Sequence, residues 1–356
     1  MIVPYFPLAV TVLVGAAFVC AVVVSTRVRM LAAPAPIDID PAHREAAQRR
    51  IRTARTTVTL STVVGLAVAA VAGVVLGAFT AAMSNLGQPF GYLQYGPPAV
   101  FGPLLSFVPL VGVAAAAVVL SIYGHGRGRA RGRQRERNRM RTADLEVRQP
   151  DAALRKLLIA LAASVVGLVL FLLSTGLTES SDLGGMSSRF IVVSGSATNE
   201  GSYPGWALGV PIAASALIML ALVFAALARV HYAPGSGVGE LRAVDAAVRG
   251  GLSRFIILLG IAAALLALGT VMWSAGATTS VASVFPIMGK CVALGNQSSI
   301  CQAIRVTFSQ PTFGIGALEA AVGTALTAGA LALIAGAVHQ ARVLIRIRAA
   351  ARLVAA

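Results

Sequence analysis

Apolar residues fill this chain in long unbroken runs, and polar residues gather in short segments between them. That pattern is neither the alternation of a half-buried strand nor the one-sided stripe of a water-soluble helix. A hydrocarbon core of ~30 Å is crossed by about 20 apolar residues of helix. Seven runs reach that length, at 5–26, 57–82, 99–123, 156–177, 206–229, 253–275 and 316–341. The pattern predicts an all-α integral membrane protein with seven transmembrane helices in a single transmembrane domain over 1–356. Segments between the runs are too short to build an independent soluble core.

Charge gives the runs a direction. The segments Arg27–Arg55, Arg127–Lys156 and Arg229–Arg254 and the tail from Arg342 hold 7, 11, 4 and 4 basic residues, 26 of the 29 in the chain. The opposite set holds only Arg189, Lys290 and Arg305. Lys and Arg in short loops mark the cytoplasmic side, which predicts an outside N-terminus and a cytoplasmic C-terminus. The first run carries no basic residues before it, and Arg27 and Arg29 follow it. That order fits a retained spanning helix rather than a cleaved signal.

Composition agrees. Only 12% of residues are charged and 57% are hydrophobic, against roughly 25% charged in soluble domains. Lys156 and Lys290 are the only lysines, and Ala, Val and Gly abound. Such usage fits a GC-rich bacterial genome, so the expected location is the plasma (inner) membrane of a bacterium. A net charge of +16 would suggest nucleic acid in a soluble protein. Here it belongs to the cytoplasmic segments, and no nucleic acid is expected.

An internal repeat organises the runs. Glu45-Ala-Ala-Gln-Arg49, Asp151-Ala-Ala-Leu-Arg155 and Asp245-Ala-Ala-Val-Arg249 each precede an even-numbered run. An acid four residues before an Arg is the favourable helical orientation, worth ~0.2–0.5 kcal/mol. Each following run carries a related Gly, at Gly65, Gly167 and Gly260, and a further one at Gly73, Gly176 and Gly269. The reading is helix 1 at 5–26 plus three tandem helical hairpins at 41–123, 151–230 and 245–342. Small residues let helices approach closely in lipid. Gly73-Val-Val-Leu-Gly77 is a literal GxxxG, expected to serve packing within the chain, with a homo-oligomer face as the alternative.

The cytoplasmic segment 124–150 is the most unusual. Arg127, Arg129, Arg131, Arg133, Arg135, Arg137, Arg139 and Arg141 occupy every second position. In extended chain that period places all the guanidinium groups on one side, and each basic group near an anionic leaflet contributes ~1 kcal/mol. The expected partner is anionic phospholipid at the cytoplasmic face, with an acidic protein partner bound through the same loop as the alternative. No aromatic residue is interleaved for base stacking. Residues 41–55 read as a basic helix that starts at Asp40-Pro41 and leads into the second run, along the membrane surface.

On the outer side, the segment 276–316 carries Cys291 and Cys301. An oxidising compartment permits a disulfide between them, worth ~2–3 kcal/mol for so short a loop. Two Cys without an outer His do not make a zinc site. Segment 177–205 holds Glu179, Asp182 and Glu200 at spacings of no known cation loop, and Ile191-Val-Val suggests a short strand. Asn296-Gln-Ser298 matches a glycosylation sequon, which carries little weight in a bacterium.

Within the runs, the single ionisable candidate is Glu319, about one turn in from the outer surface of the seventh. An interfacial carboxylate reaching water is the plainer reading, and a cation or substrate contact at the outer mouth is the functional one. Thr324 and Thr327 lie below it as a weak polar track. Ser174, Thr175, Ser274 and Thr270 are expected to bond their own helices. No paired intramembrane His, phosphate loop or HExxH occurs, so neither a cofactor, a metal nor enzymatic turnover is expected. What remains is a non-catalytic scaffold, accessory subunit or signal-coupling component of a bacterial cell-envelope complex. The alternative is a transporter or permease subunit for an apolar or amphiphilic solute.

Overall fold

In lipid every backbone amide must be satisfied within the segment, so uninterrupted Ala-, Val- and Leu-rich stretches fold as helices. A computed structural model describes residues 44–85, 103–122, 152–176, 187–194, 197–204, 206–232, 239–293, 299–308 and 310–353. In chain order they form α1 (Arg44–Asn85), α2 (Phe107–Ile122), α3 (Ala152–Gly176), β1 (Ser187–Ser194), β2 (Ala197–Pro204), α4 (Trp206–Tyr232), α5 (Gly239–Ala282), β3 (Val284–Ala293), β4 (Ser299–Phe308) and α6 (Gln310–Leu353). Counting the turn from Pro103 that leads into α2, six helices among the described residues are long and apolar enough to cross a membrane. The chain is a multi-pass membrane protein. The expected run 5–26 and the Arg-rich segment 124–150 lie outside the described residues.

Outward faces are as apolar as the interior. Leu66 is 67% exposed and Val74 72%, a surface that only lipid accommodates without penalty. Helix α5 is the axis: it touches each of the other five helices and is apolar nearly all round, as a helix buried on all sides must be. Phe255, Ile256, Leu268 and Met272 from α5 pack in one core with Leu161 and Phe171 of α3, Met219 and Val223 of α4, and Leu326 of α6.

Three helices are much longer than the bilayer requires. At ~1.5 Å per residue, the 42 residues of α1 and the 44 each of α5 and α6 span roughly twice a ~30 Å core. Most of the surplus falls at the Arg-bearing ends. There α1 buries Ala47, Ile51, Ala54 and Val58, and α5 buries Leu241, Val244, Val248 and Leu252. Spacings of three and four are those of a coiled-coil seam, and α1, α5 and α6 all touch one another. Of the basic helix expected at 41–55, the described part from Arg44 is one continuous helix with the span that follows it, not a separate surface element.

Two antiparallel hairpins modify the all-α expectation. β1 pairs with β2 from Ser187↔Pro204 to Ser194↔Ala197, and β3 with β4 from Val284↔Phe308 to Ala293↔Ser299. Each joins two consecutive helices, α3 to α4 and α5 to α6, at the end of the bundle opposite the basic stem. Strand β2 touches both α5 and β3, so the hairpins share one cap. Ile191 to Val193, expected as a short strand, lie within the second half of β1.

Candidate functional site

Charged groups at the basic end are bound into the fold in different ways. Glu45 and Arg49 form the expected ion pair one helical turn apart on the exposed face of α1. Asp245, from the third of the related acid–Arg segments, pairs across to Arg50 of α1, with side chains only 13% and 18% exposed. Arg249 donates to the carbonyl of His231, in the last turn of α4, at 3.1 Å. A guanidinium there satisfies a carbonyl left open by the helix end and opposes its negative dipole. Together these bonds tie α1, α4 and α5 where they leave the apolar layer. Acid and Arg residues near the starts of α1 and α5 therefore make contacts between helices as well as local pairs.

Arg52 and Arg55 are exposed. With Thr56, Thr59, Leu60 and Val63 they line a groove of about 550 Å³ along α1. Those positions form one stripe at intervals of three and four, so charge, hydroxyl and hydrocarbon follow in order along one helix face.

Deeper in, small residues set the helix spacing. A Cβ built on Gly65 would lie 2.9 Å from the Gly112 carbonyl oxygen, and Ser61 donates to the Ala116 carbonyl at 3.1 Å. That pair locks α1 to α2. The tightest seam joins α5 to α6. A Cβ on Gly276 would meet the Ala320 amide and lie 2.5 Å from the Gly316 oxygen; one on Gly323 would lie 2.6 Å from the Trp273 amide. Gly269 and Gly316 are as crowded, at 2.6 Å from the Thr327 Oγ1 and the Ser280 amide. The literal GxxxG is not such a contact: Val108 lies 3.9 Å from the Cβ position of Gly73, and nothing lies within 4 Å of that of Gly77. Nor do Gly65 and Gly260 play matching parts. Gly260 packs on Leu161 and Val223 of neighbouring helices.

Glu319 lies on the buried stripe of α6, beside this seam, between Gly316 and Gly323. It is 0% exposed, and neither carboxylate oxygen has a hydrogen-bond partner among the described residues. The water-reaching interfacial position expected of it is not where the fold puts it, because that face of α6 is turned into the bundle. Thr324 and Thr327 do not extend a polar track, since each donates to its own helix, to Ala320 and Gly323 carbonyls at 2.9 Å. Ser174, Thr175 and Thr270 likewise bond their own helices, as expected.

At the hairpin end, Cys291 and Cys301 are direct cross-strand partners in the β3–β4 register. Directly opposed residues have Cα atoms ~4.5–5.5 Å apart, inside the range a disulfide spans. Facing outward between α3 and α4 is a second, apolar groove of about 270 Å³, lined by Leu172, Trp206, Val210 and Leu217 among others. Among the described residues no three His, Cys, Asp or Glu side chains converge as for a metal. The arginines 127–141 lie outside the described residues.

Two features escaped the sequence reading: the Arg50–Asp245 pair and the α5–α6 glycine seam. The seam left a trace, since Gly269 and Gly276, and again Gly316 and Gly323, recur at seven residues. Comparison with known protein families, with curated proteins and with solved structures finds no match for the chain.

Proposed function

We propose that this protein is a non-catalytic scaffold or accessory subunit of a bacterial cell-envelope complex. The observation that carries this reading is the stem at the basic end. There α1, α5 and α6 run past the apolar layer, and α1 and α5 carry buried apolar positions three and four apart, braced by Arg50–Asp245 and by Arg249 on α4. A membrane domain that only had to insert would gain nothing from that extension, whereas a docking platform needs rigid elements standing clear of lipid. In this reading the stem is cytoplasmic, a further spanning helix at 5–26 precedes three hairpin repeats to give seven spans, and Arg127–Arg141 engage anionic lipid and an acidic partner. The Cys291–Cys301 register supports a disulfide bracing the outer cap.

Gentle purification from the native membrane, followed by mass spectrometry, tests the reading. A stoichiometric protein partner is expected, and it should be lost when the arginines at 127–141 are replaced by Gln. A chain that brings only lipid, with or without those arginines, refutes it.

One observation favours a second reading, a permease subunit for an apolar or amphiphilic solute. Glu319 is an intramembrane carboxyl without a protein partner among the described residues, and such groups mark solute or ion paths. Solute-dependent stabilisation that disappears in Glu319→Gln would support it; identical responses of the two proteins would remove it.

A further inference from the structure

Four arginines of the stem region divide into two kinds. Arg49 is committed to Glu45 and Arg50 to Asp245. Arg52 and Arg55 point from the exposed face into the groove they share with Thr56, Thr59, Leu60 and Val63, and no acidic partner to either is seen among the described residues. Thr56 donates its hydroxyl to the Arg52 carbonyl at 3.0 Å, which leaves Thr59 as the hydroxyl of the groove available to donate. Below it Leu60 and Val63 are 53% and 57% exposed, and the same flank continues through Leu66, Val71 and Val74 at 67%, 63% and 72%. From Arg52 to Val63 the helix rises ~16 Å, about the depth from a lipid phosphate to the middle of its acyl chain. Its order of charge, hydroxyl and hydrocarbon is the order of groups along a phospholipid.

We propose that this groove is a binding site for one anionic glycerophospholipid of the leaflet at the basic end. Its phosphodiester oxygens accept from the Arg52 and Arg55 guanidinium groups. The Thr59 hydroxyl donates to the glycerol-ester region, and one acyl chain lies along Leu60 and Val63. Guanidinium suits this task because it presents several N–H donors in a fixed plane matched to phosphate oxygens. The site rests on the inner-leaflet lipid contact of the proposed function, but not on a protein partner. It lies on α1 and not in the 127–141 loop, so the two can fail separately.

Native mass spectrometry of the full chain in non-ionic detergent, titrated with dioleoyl-phosphatidylglycerol and with dioleoyl-phosphatidylcholine, tests it. One phosphatidylglycerol should bind more tightly than the rest and than any phosphatidylcholine. Each basic group at an anionic surface is worth about a five-fold gain in affinity, so Arg52→Gln/Arg55→Gln should weaken that first lipid by roughly 25-fold. Arg155→Gln/Lys156→Gln removes two basic groups that are also exposed, at the start of α3, and should leave it unchanged. Leu60→Trp fills the groove without altering charge and should also displace the lipid. Equal weakening by both double variants would show diffuse attraction and overturn the site. An unchanged first lipid in Arg52→Gln/Arg55→Gln or in Leu60→Trp overturns it too, as does equal affinity for phosphatidylcholine.

Discussion

Replacing Gly276 by Ala sets two opposing effects against each other, and the α5–α6 seam decides the sign. On an ordinary helix the change is favourable by ~0.5–1 kcal/mol, because Gly loses more backbone freedom on folding. At Gly276 the new methyl carbon would lie 2.5 Å from the Gly316 oxygen and collide with the Ala320 amide. Both are backbone atoms, so no side chain can rotate away. A carbon reaches a carbonyl oxygen comfortably at ~3.3–3.6 Å, and the helices must part by about 1 Å. Parting stretches the close Cα–H contacts to carbonyl oxygens along the seam, worth ~0.5–1 kcal/mol each. Overpacking in a filled core costs a further ~1–3 kcal/mol. After the propensity gain is subtracted, Gly276→Ala should destabilise by ~1–3 kcal/mol. Gly77→Ala is the control, since nothing lies within 4 Å of its Cβ position; it should stabilise by ~0.5–1 kcal/mol. Fluorescence-detected gel filtration after heating in one detergent gives the comparison. Gly276→Ala should melt below the parent by a few degrees, on the scale of ~2–4 °C per kcal/mol, and Gly77→Ala at or above it. Gly276→Ala melting with or above Gly77→Ala would falsify the seam as the element that sets helix spacing.

Three further outcomes follow from the same contacts. In a double-mutant cycle on melting, Arg50→Met and Asp245→Asn should show a coupling of ~1–2 kcal/mol, within the range for contacting residues; additive effects would mean that the pair does not hold α1 to α5. Alkylation of the unreduced intact chain should leave Cys291 and Cys301 unmodified, and Cys291→Ser/Cys301→Ser should cost ~2–3 kcal/mol. Free alkylation of both thiols would refute the bridge. Glu319→Met keeps the bulk and removes two buried oxygens that have no partner among the described residues, so it should raise stability by ~1–3 kcal/mol. A lowered melting point would mean that the carboxyl has a partner beyond the described residues.

Helices were legible in the sequence because length and polarity alone decide what can cross lipid. Their ends were not. Hydropathy marks where lipid stops, whereas a helix continues as long as its backbone and a neighbour allow. Hence α1 begins at Arg44 and α5 at Gly239, well before the apolar runs at 57 and 253. Strand pairing was faint for the opposite reason. The segments that form the hairpin cap are short and mixed, and only Ile191 to Val193 announced a strand, while the pairing of positions 291 and 301 emerged from the register. Local reading found what is local: Glu45 does reach Arg49 one turn away.

Contacts between distant segments need the fold, and there local motifs mislead. GxxxG at Gly73 and Gly77 satisfies a pattern, but among the described residues a Cβ built on either would crowd nothing, whereas Gly276 and Gly316 form no such pattern and meet backbone to backbone. What a glycine permits depends on the helix opposite, which no spacing within one run specifies. Arginine obeys the same logic. Read along the chain, the 26 basic residues of the Arg-bearing segments are interchangeable votes for orientation. Once the helices are packed, Arg50 is spent on Asp245 and Arg249 on the end of α4, while Arg52 and Arg55 face a groove that grades from charge to hydrocarbon. Orientation needs only the sum of charges near the membrane, so it constrains none of these positions individually. Whatever holds Arg52 and Arg55 on one stripe above Leu60 and Val63 must come from a contact that sum does not contain.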